Sequence, residues 1–164
     1  MGGLPESVHG PDYRAGRFAL LTGNHRCYQC KAITRVCAIG LMPYEERDRE
    51  YGDYQQIDDA VLLTGITALN ALAADEVARL APRMRLAHSK TAGLAYLANH
   101  CEHCSAMIGA WFITEPDEAF FPTSAEDAKK LLVVWIDQPI EAEDEGGSSA
   151  MWLDQLLATP TTTR

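Results

Sequence analysis

The 164-residue sequence contains no apolar run long enough to cross a membrane and no N-terminal targeting pattern. Its longest apolar stretch, with glycine counted, covers the eight residues Ala106–Ile113, whereas a membrane-spanning helix needs roughly 20. The first ten residues, MGGLPESVHG, have neither a basic start nor an apolar segment. We therefore expect a cytoplasmic protein with no membrane partner. A hydrophobic fraction of 47% and a charged fraction of 23% exclude a fibrous or wholly disordered chain.

Positive charge is also scarce. Lys and Arg total 14 against 23 Asp and Glu, which gives a net charge of -9 and disfavours nonspecific binding to nucleic acid. The basic residues nevertheless fall in two blocks, which could fold into one patch, and Tyr28 could stack on a base. A nucleic-acid-binding protein is therefore the alternative to the function predicted below. The residues it would use are Arg14, Arg17, Arg26, Lys31, Arg35, Arg79, Arg83, Arg85 and Lys90.

The five cysteines do not form a disulfide framework in a reducing compartment, and their number is odd. Four of them form two Cys-x-x-Cys pairs separated by 70 residues. Two such turns can supply the four thiolates of a tetrahedral zinc site. The sequence therefore predicts one Zn²⁺ ion bound by Cys27, Cys30, Cys101 and Cys104.

Other candidate residues lie near the two pairs. His100 and His103 either replace a cysteine as ligand or donate a hydrogen bond to one, and the second role is preferred. Cys37 lies on the strand that follows the first pair, where we expect a buried thiol.

Both cysteine pairs lie between strand-like segments. Arg17–Thr22 (RFALLT) and Lys31–Leu41 (KAITRVCAIGL) predict a hairpin with the first pair at its tip, and Ser105–Thr114 (SAMIGAWFIT) is a predicted strand after the second pair. Two hairpin tips that share one ion are typical of a zinc ribbon. The predicted fold is α+β, with small zinc-ribbon-like hairpins and a few short helices in a single domain, 1–164. Residues 13–122 would form the ribbon core with an inserted loop and helix, and 123–164 a C-terminal strand–helix extension.

The remaining segments have simpler patterns. Acidic residues 43–60 predict a surface loop, and Glu141–Ser149 (EAEDEGGSS) predicts a linker. Val61–Thr67 is a predicted strand, and apolar spacing predicts helices over Ala68–Leu80 and Ser149–Ala158.

The run CYQCKAITRVCAI and the later run SKTAGLAYLANHCEHCSAMIGAWFI, followed by FFP, resemble a group of uncharacterised bacterial zinc-ribbon-like proteins. The likeness covers roughly residues 24–41 and 89–122, and its most specific part is the Asn-His-Cys-x-x-Cys motif that begins at Asn99. Such ribbons commonly have Gly after each pair, because the turn favours a positive φ, whereas this chain has Lys31 and Ser105. The resemblance implies a metal site and no established activity.

A closed set of four cysteines leaves no coordination position for water, so hydrolytic zinc chemistry is not expected. The predicted function is noncatalytic recognition of a protein partner by a zinc-stabilised protein. The surfaces expected to serve it are the acidic runs Glu45–Asp59 and Glu141–Glu145, beside Tyr44, Tyr51, Tyr54 and Trp152. A redox enzyme that uses Cys27 and Cys30 is a further, weaker alternative.

Overall fold

The structure, a computed structural model, describes Leu4 and residues 10–159. The two ends of the predicted domain, residues 1 and 164, lie outside the described residues. Strands make up 41% of the described residues and helices 17%. The strands, in chain order, are β1 (Tyr13–Ala15), β2 (Phe18–Arg26), β3 (Ile33–Leu41), β4 (Tyr44–Arg47), β5 (Tyr54–Ile57), β6 (Val61–Leu63), β7 (Ile66–Leu69), β8 (Met84–Ser89), β9 (Leu94–His100), β10 (Met107–Ile108), β11 (Leu132–Ile136) and β12 (Ile140–Asp144). The helices are α1 (Ala71–Leu80), α2 (Ala110–Ile113), α3 (Ala125–Ala128) and α4 (Met151–Ala158).

The predicted α+β fold of small ribbon-like hairpins is wrong. The strands form three antiparallel sheets with the orders β5-β4-β1-β12-β7, β11-β2-β3-β6 and β10-β9-β8. The expected hairpin with the first cysteine pair at its tip is present as β2 and β3, but each strand is nine residues long. Hairpins of this length bury far more apolar surface than a short ribbon hairpin, so the fold is β-rich with large cores.

Around residues 18–21 and 38–41, the four-stranded sheet is buried on both faces because apolar residues occupy both sets of alternating positions in its central strands. Phe18 and Leu20 of β2 belong to one core, whereas Ala19 and Leu21 belong to the other. The first core also receives α1 and residues of the five-stranded sheet. The second receives α4 and the buried cysteines Cys27 and Cys101. Three of the four predicted metal ligands, Cys27, Cys101 and Cys104, therefore lie in or against a hydrophobic core.

The two larger sheets are linked by segments that contribute a strand to each. β2 pairs with β11 and β1 pairs with β12, so residues 13–26 run antiparallel to residues 132–144 through both sheets. In the same way, β3 pairs with β2 and β4 pairs with β1. The C-terminal residues thus complete sheets that the N-terminal residues begin.

Two acidic segments predicted as loop and linker contain strands. Residues 43–60 contribute β4 and β5, and the segment 141–149 begins with most of β12, which lies between β1 and β7. In β12 the side chains of Ile140, Ala142 and Asp144 are buried, whereas Glu141 is exposed. Because side chains alternate across a strand, charge on one face does not prevent the other face from joining a core.

Other predictions hold in part. The predicted strand Ser105–Thr114 forms only the two-residue β10 and then turns into α2. Helix α1 begins three residues later than predicted because residues 66–69 pair with β12. The C-terminal helix is confirmed as α4. None of the helices in the described part of the chain combines the length and apolar character that crossing a bilayer requires.

Candidate metal centre

The first cysteine pair lies in a tight turn between β2 and β3. Two backbone hydrogen bonds close this turn, from the N–H of Cys27 to the carbonyl of Ala32 (2.9 Å) and from the N–H of Lys31 to the carbonyl of Cys27 (3.0 Å). Lys31 has a φ of 64°, in the left-handed region that favours glycine. The turn is further tied by Arg26, whose guanidinium donates to the Lys31 carbonyl at 2.9 Å.

The second pair repeats this geometry between β9 and β10. The N–H of Cys101 donates to the carbonyl of Ala106 (2.9 Å), and the N–H of Ser105 donates to the carbonyl of Cys101 (3.0 Å). Ser105 has a φ of 62°. The two turns, which we call the first and second knuckles (residues 27–32 and 101–106), therefore share one backbone conformation although neither has glycine at its left-handed position.

The fold brings the two knuckles together. Sγ of Cys27 lies 3.6 Å from Sγ of Cys104, and Sγ of Cys30 lies 3.7 Å from Sγ of Cys101. All four sulfur atoms lie within 4.8 Å of one another and can hold a metal ion. Cys37, the fifth cysteine, lies outside this group and contacts the hydroxyl of Thr22 at 3.5 Å.

The spacing of the sulfur atoms fits tetrahedral coordination. With metal–sulfur bonds of about 2.3 Å, the sulfur atoms of a tetrahedral site are about 3.8 Å apart. The two cross-knuckle distances of 3.6 and 3.7 Å match this value. A set of four thiolates in a tetrahedron suits zinc and also iron. The donor set thus fits one metal ion in tetrahedral coordination by four sulfur atoms.

The thiols are unequal in acidity. Burial raises the pKa of Cys101, but hydrogen bonds from the N–H groups of Cys104 and His103 outweigh it and, with the neighbouring thiols, bring this pKa to about 6. For Cys104, the N–H of Ala106 lowers the pKa, but burial and the three neighbouring thiols raise it to about 11. Four negative charges at this spacing repel one another, and a bound cation would remove that conflict.

Glu102, inside the second knuckle, fastens that knuckle to β3. Its N–H donates to the hydroxyl of Thr34 at 2.9 Å, and its carboxylate accepts from the backbone N–H of Arg35 at 3.2 Å and from that residue's Nε at 2.7 Å. His103 adds a contact of 3.0 Å between its Nε2 and the carbonyl of Ile33. Because β3 leaves the first knuckle, these bonds fix the position of one cysteine pair relative to the other.

Neither candidate histidine belongs to the sulfur cluster. His100 is buried, and its Nδ1 lies 3.0 Å from the carbonyl of Ala98 and 3.2 Å from that of Arg83. Burial lowers the pKa of His100. His103 contacts Ile33, as described above. Both histidines support the backbone around the second knuckle, and the metal-site group among the described residues consists of cysteines alone.

Asn99 joins the three-stranded sheet to the four-stranded sheet. Its Oδ1 accepts from the N–H of Cys37 at 2.8 Å, and its Nδ2 donates to the carbonyl of the same residue at 2.9 Å. β6 pairs with β3 only over residues 39–41. Beyond this pairing, the Asn99 amide forms the hydrogen bonds with the N–H and C=O of Cys37 that a neighbouring strand would otherwise form. The amide thereby holds β9, which leads directly into the second knuckle.

Exposed aromatic side chains lie beside the knuckles, and the sequence analysis missed all but one of them. Tyr28, within the first knuckle, stacks on Phe112 of α2 with ring centroids 6.3 Å apart. These two side chains are 52% and 49% exposed, and Trp111 is 73% exposed. The strand predicted over Ser105–Thr114 includes AWFI and would bury alternate residues of this run. The short helix instead turns Trp111 and Phe112 outward.

The aromatic residues predicted to serve recognition are mostly packed against the protein itself. Tyr44 is buried in a core, and Trp152 packs against the other core. The hydroxyl of Tyr54 donates to the carbonyl of Pro11 at 2.8 Å, and the guanidinium of Arg14 lies over its ring. Tyr51, by contrast, is 75% exposed.

No protein-family model matches the chain, and neither a curated protein nor a solved structure matches it. The resemblance to bacterial zinc-ribbon-like proteins therefore stays a prediction. Any functional assignment has to come from the chemistry of the site.

Proposed function

We propose that the four cysteines hold one structural Zn²⁺ ion and that the protein acts without catalysis, by recognising a protein partner. The observation that carries the proposal is the convergence of two knuckles, 70 residues apart in sequence, on a sulfur cluster with cross-knuckle distances of 3.6 and 3.7 Å. Four protein ligands fill a tetrahedral shell and leave no position for a substrate or a reactive water.

Surface recognition is supported by the aromatic residues beside the knuckles. Trp111, Phe112 and Tyr28 expose large apolar areas next to a well-fixed site. Aromatic residues of this kind are the usual anchors of protein interfaces. We therefore propose the aromatic surface near the metal site as the interface, and the acidic runs Glu45–Asp59 and Glu141–Glu145 stay a prediction.

The alternative of nucleic-acid binding receives less support. Several of its candidate cations are engaged by carboxylates, namely Arg14 by Glu45, Arg35 by Glu102 and Arg79 by Glu76. A cation that already has an acidic partner gains less from a phosphate, because the existing ion pair must break.

Metal analysis of the purified protein tests the zinc proposal. We expect one zinc ion per chain in the native protein, and loss of that zinc in Cys27→Ser and Cys101→Ser. Cys37→Ser is the matched control, because Cys37 lies outside the sulfur cluster, and it should keep the zinc. Stoichiometric iron, or metal-free protein with cross-knuckle disulfides, would contradict the proposal, and the disulfides would favour the redox alternative.

The recognition proposal has a separate test. Proteins captured by the zinc-loaded chain from its source cell should be lost with Trp111→Ala and retained with Tyr51→Ala, which removes an exposed aromatic side chain elsewhere. Salt-sensitive binding of purified RNA or DNA with no captured protein would instead support the nucleic-acid alternative.

A further inference from the structure

The four-stranded sheet ends on one side at β11, and the outer edge of this strand is open. β11 pairs with β2 over residues 132–136, and within the described part of the chain no other backbone hydrogen bond reaches these residues. Half of the N–H and C=O groups of an edge strand point away from its neighbour and can pair with another strand.

Three other sheet edges carry features that discourage such pairing. At β6, Leu62 exchanges backbone hydrogen bonds with Ser148 at 2.7 and 3.1 Å. β8 contains Arg85 and His88, and β5 is flanked by the acidic residues Asp53 and Asp58. Covering residues and charges are the common means by which proteins protect their sheet edges.

β11 has no covering residues among those described and no charge within the strand, and the charges at its two ends, unlike those of β5, are of opposite sign. Its sequence, LVVWI, contains no charge and no proline. Leu132 is 67% exposed, and Val133 and Val134 are only partly buried. An apolar edge strand of five residues is a ready template for an added strand.

The charges at the two ends of β11 indicate what kind of strand fits. Lys129 and Lys130 precede the strand, and Asp137 follows it directly. Lys129 and Asp137 are exposed, and neither forms an ion pair with another described residue. A second copy of β11 in the antiparallel direction would place the basic end of one strand at the acidic end of the other, whereas a parallel copy would place like charges together.

We propose that β11 pairs antiparallel with β11 of a second copy of this chain, which gives a two-fold symmetric dimer. The two four-stranded sheets then form one sheet of eight strands. Leu132 of each copy leaves solvent and packs beside the C-terminal end of the other copy's strand. Because one short strand from each copy forms the contact, the dimer is reversible and its population depends on protein concentration.

The test measures the mass of the full-length, metal-loaded chain by sedimentation from low to high micromolar concentration. We expect the mean mass to rise from 18.0 kDa towards twice that value. Leu132→Lys should raise the dimer dissociation constant at least tenfold, because it puts an edge-protecting charge into the pairing strand. The matched control is Leu86→Lys on the edge strand β8, where the native side chain is 39% exposed, and it should leave the constant unchanged.

A charge exchange tests the direction of pairing. Asp137→Lys alone should weaken the dimer, and adding Lys129→Asp should restore it, because opposite charges then meet again. The proposal is overturned if the chain stays monomeric over the whole concentration range. It is equally overturned if β11 of that monomer pairs with a strand of a different protein. A dimer that Leu132→Lys does not weaken also overturns it. These outcomes do not depend on which metal ion the cysteines bind.

Discussion

Replacement of Asn99 by alanine should destabilise the protein strongly, although neither amide hydrogen bond described for Asn99 involves a cysteine sulfur. The side chain is 5% exposed and makes two hydrogen bonds to the backbone of Cys37, at 2.8 and 2.9 Å. Truncation leaves the N–H and C=O of Cys37 without these partners at a part-buried site.

The size of the effect follows from these two groups. An unsatisfied buried polar group costs about 1 to 3 kcal/mol, so two of them give roughly 2 to 6 kcal/mol. Partial entry of water into the space left by the amide favours the lower half, and we expect a loss of about 3 kcal/mol. For a chain of this size, that loss corresponds to a fall in melting temperature of about 6 to 12 °C.

The measurement is urea unfolding of the zinc-loaded protein, with Asn24→Ala as control. Asn24 is exposed on β2, and its side chain makes no hydrogen bond to another described residue. Asn99→Asp should also destabilise, because a carboxylate cannot donate to the Cys37 carbonyl. If Asn99→Ala loses no more than about 0.5 kcal/mol relative to the Asn24→Ala control, the amide does not link the two sheets as we argue.

Three further predictions concern other parts of the fold. In urea unfolding, Gly147→Ala should destabilise the protein more than Gly146→Ala. A Cβ at residue 147 would lie 2.5 Å from the Tyr13 hydroxyl oxygen, whereas a Cβ at residue 146 would have nothing within 4 Å. Equal free energies of unfolding for the two variants would contradict this. Ser105→Gly should raise the free energy of unfolding, measured in thermal melts, by up to about 1 kcal/mol, because glycine adopts the φ of 62° without strain. A lower melting temperature for this variant would show that the serine is not strained. Burial raises the pKa of Asp144, so the native state binds more protons than the unfolded state between pH 3.8 and that raised pKa. The free energy of unfolding should therefore rise, relative to that of Asp144→Asn, as the pH falls through this interval. A difference in unfolding free energy that stays constant with pH would refute this.

The sequence predicts the cysteine cluster because its signal is local. Each pair needs only a four-residue spacing within a turn, and the apolar segments on both sides of the first pair already indicate a hairpin. A local signal of the same kind predicts α4. The cap of α3 is equally local, because the Ser124 hydroxyl accepts from the N–H of Asp127 at 3.1 Å. Features of this kind depend on residues within a few positions of one another.

The sheets depend on pairings that no local pattern contains. Tyr13 lies opposite Ala142, and Phe18 lies opposite Ile136, across more than a hundred residues of sequence. The sequence does not predict β12, because its acidic residues are typical of a linker. In the structure, buried side chains occur at every second residue of this strand. The contacts of Glu102 with Thr34 and Arg35 were missed for the same reason, since nothing in the sequence places the second knuckle beside β3.

These long-range pairings change what removal of the metal should do. A short ribbon depends on its ion for folding, because little else holds its hairpins together. In this chain the first knuckle is carried by two nine-residue strands whose far ends, residues 18–21 and 38–41, are buried on both faces, and Asn99 and Glu102 attach the second knuckle to β3 without help from the ion. Chelation should therefore lower the melting temperature and loosen residues 27–32 and 101–106, while the far-ultraviolet circular dichroism keeps its β-sheet signal. Complete loss of that signal on verified metal removal would mean that the ion, and not the sheets, carries the fold.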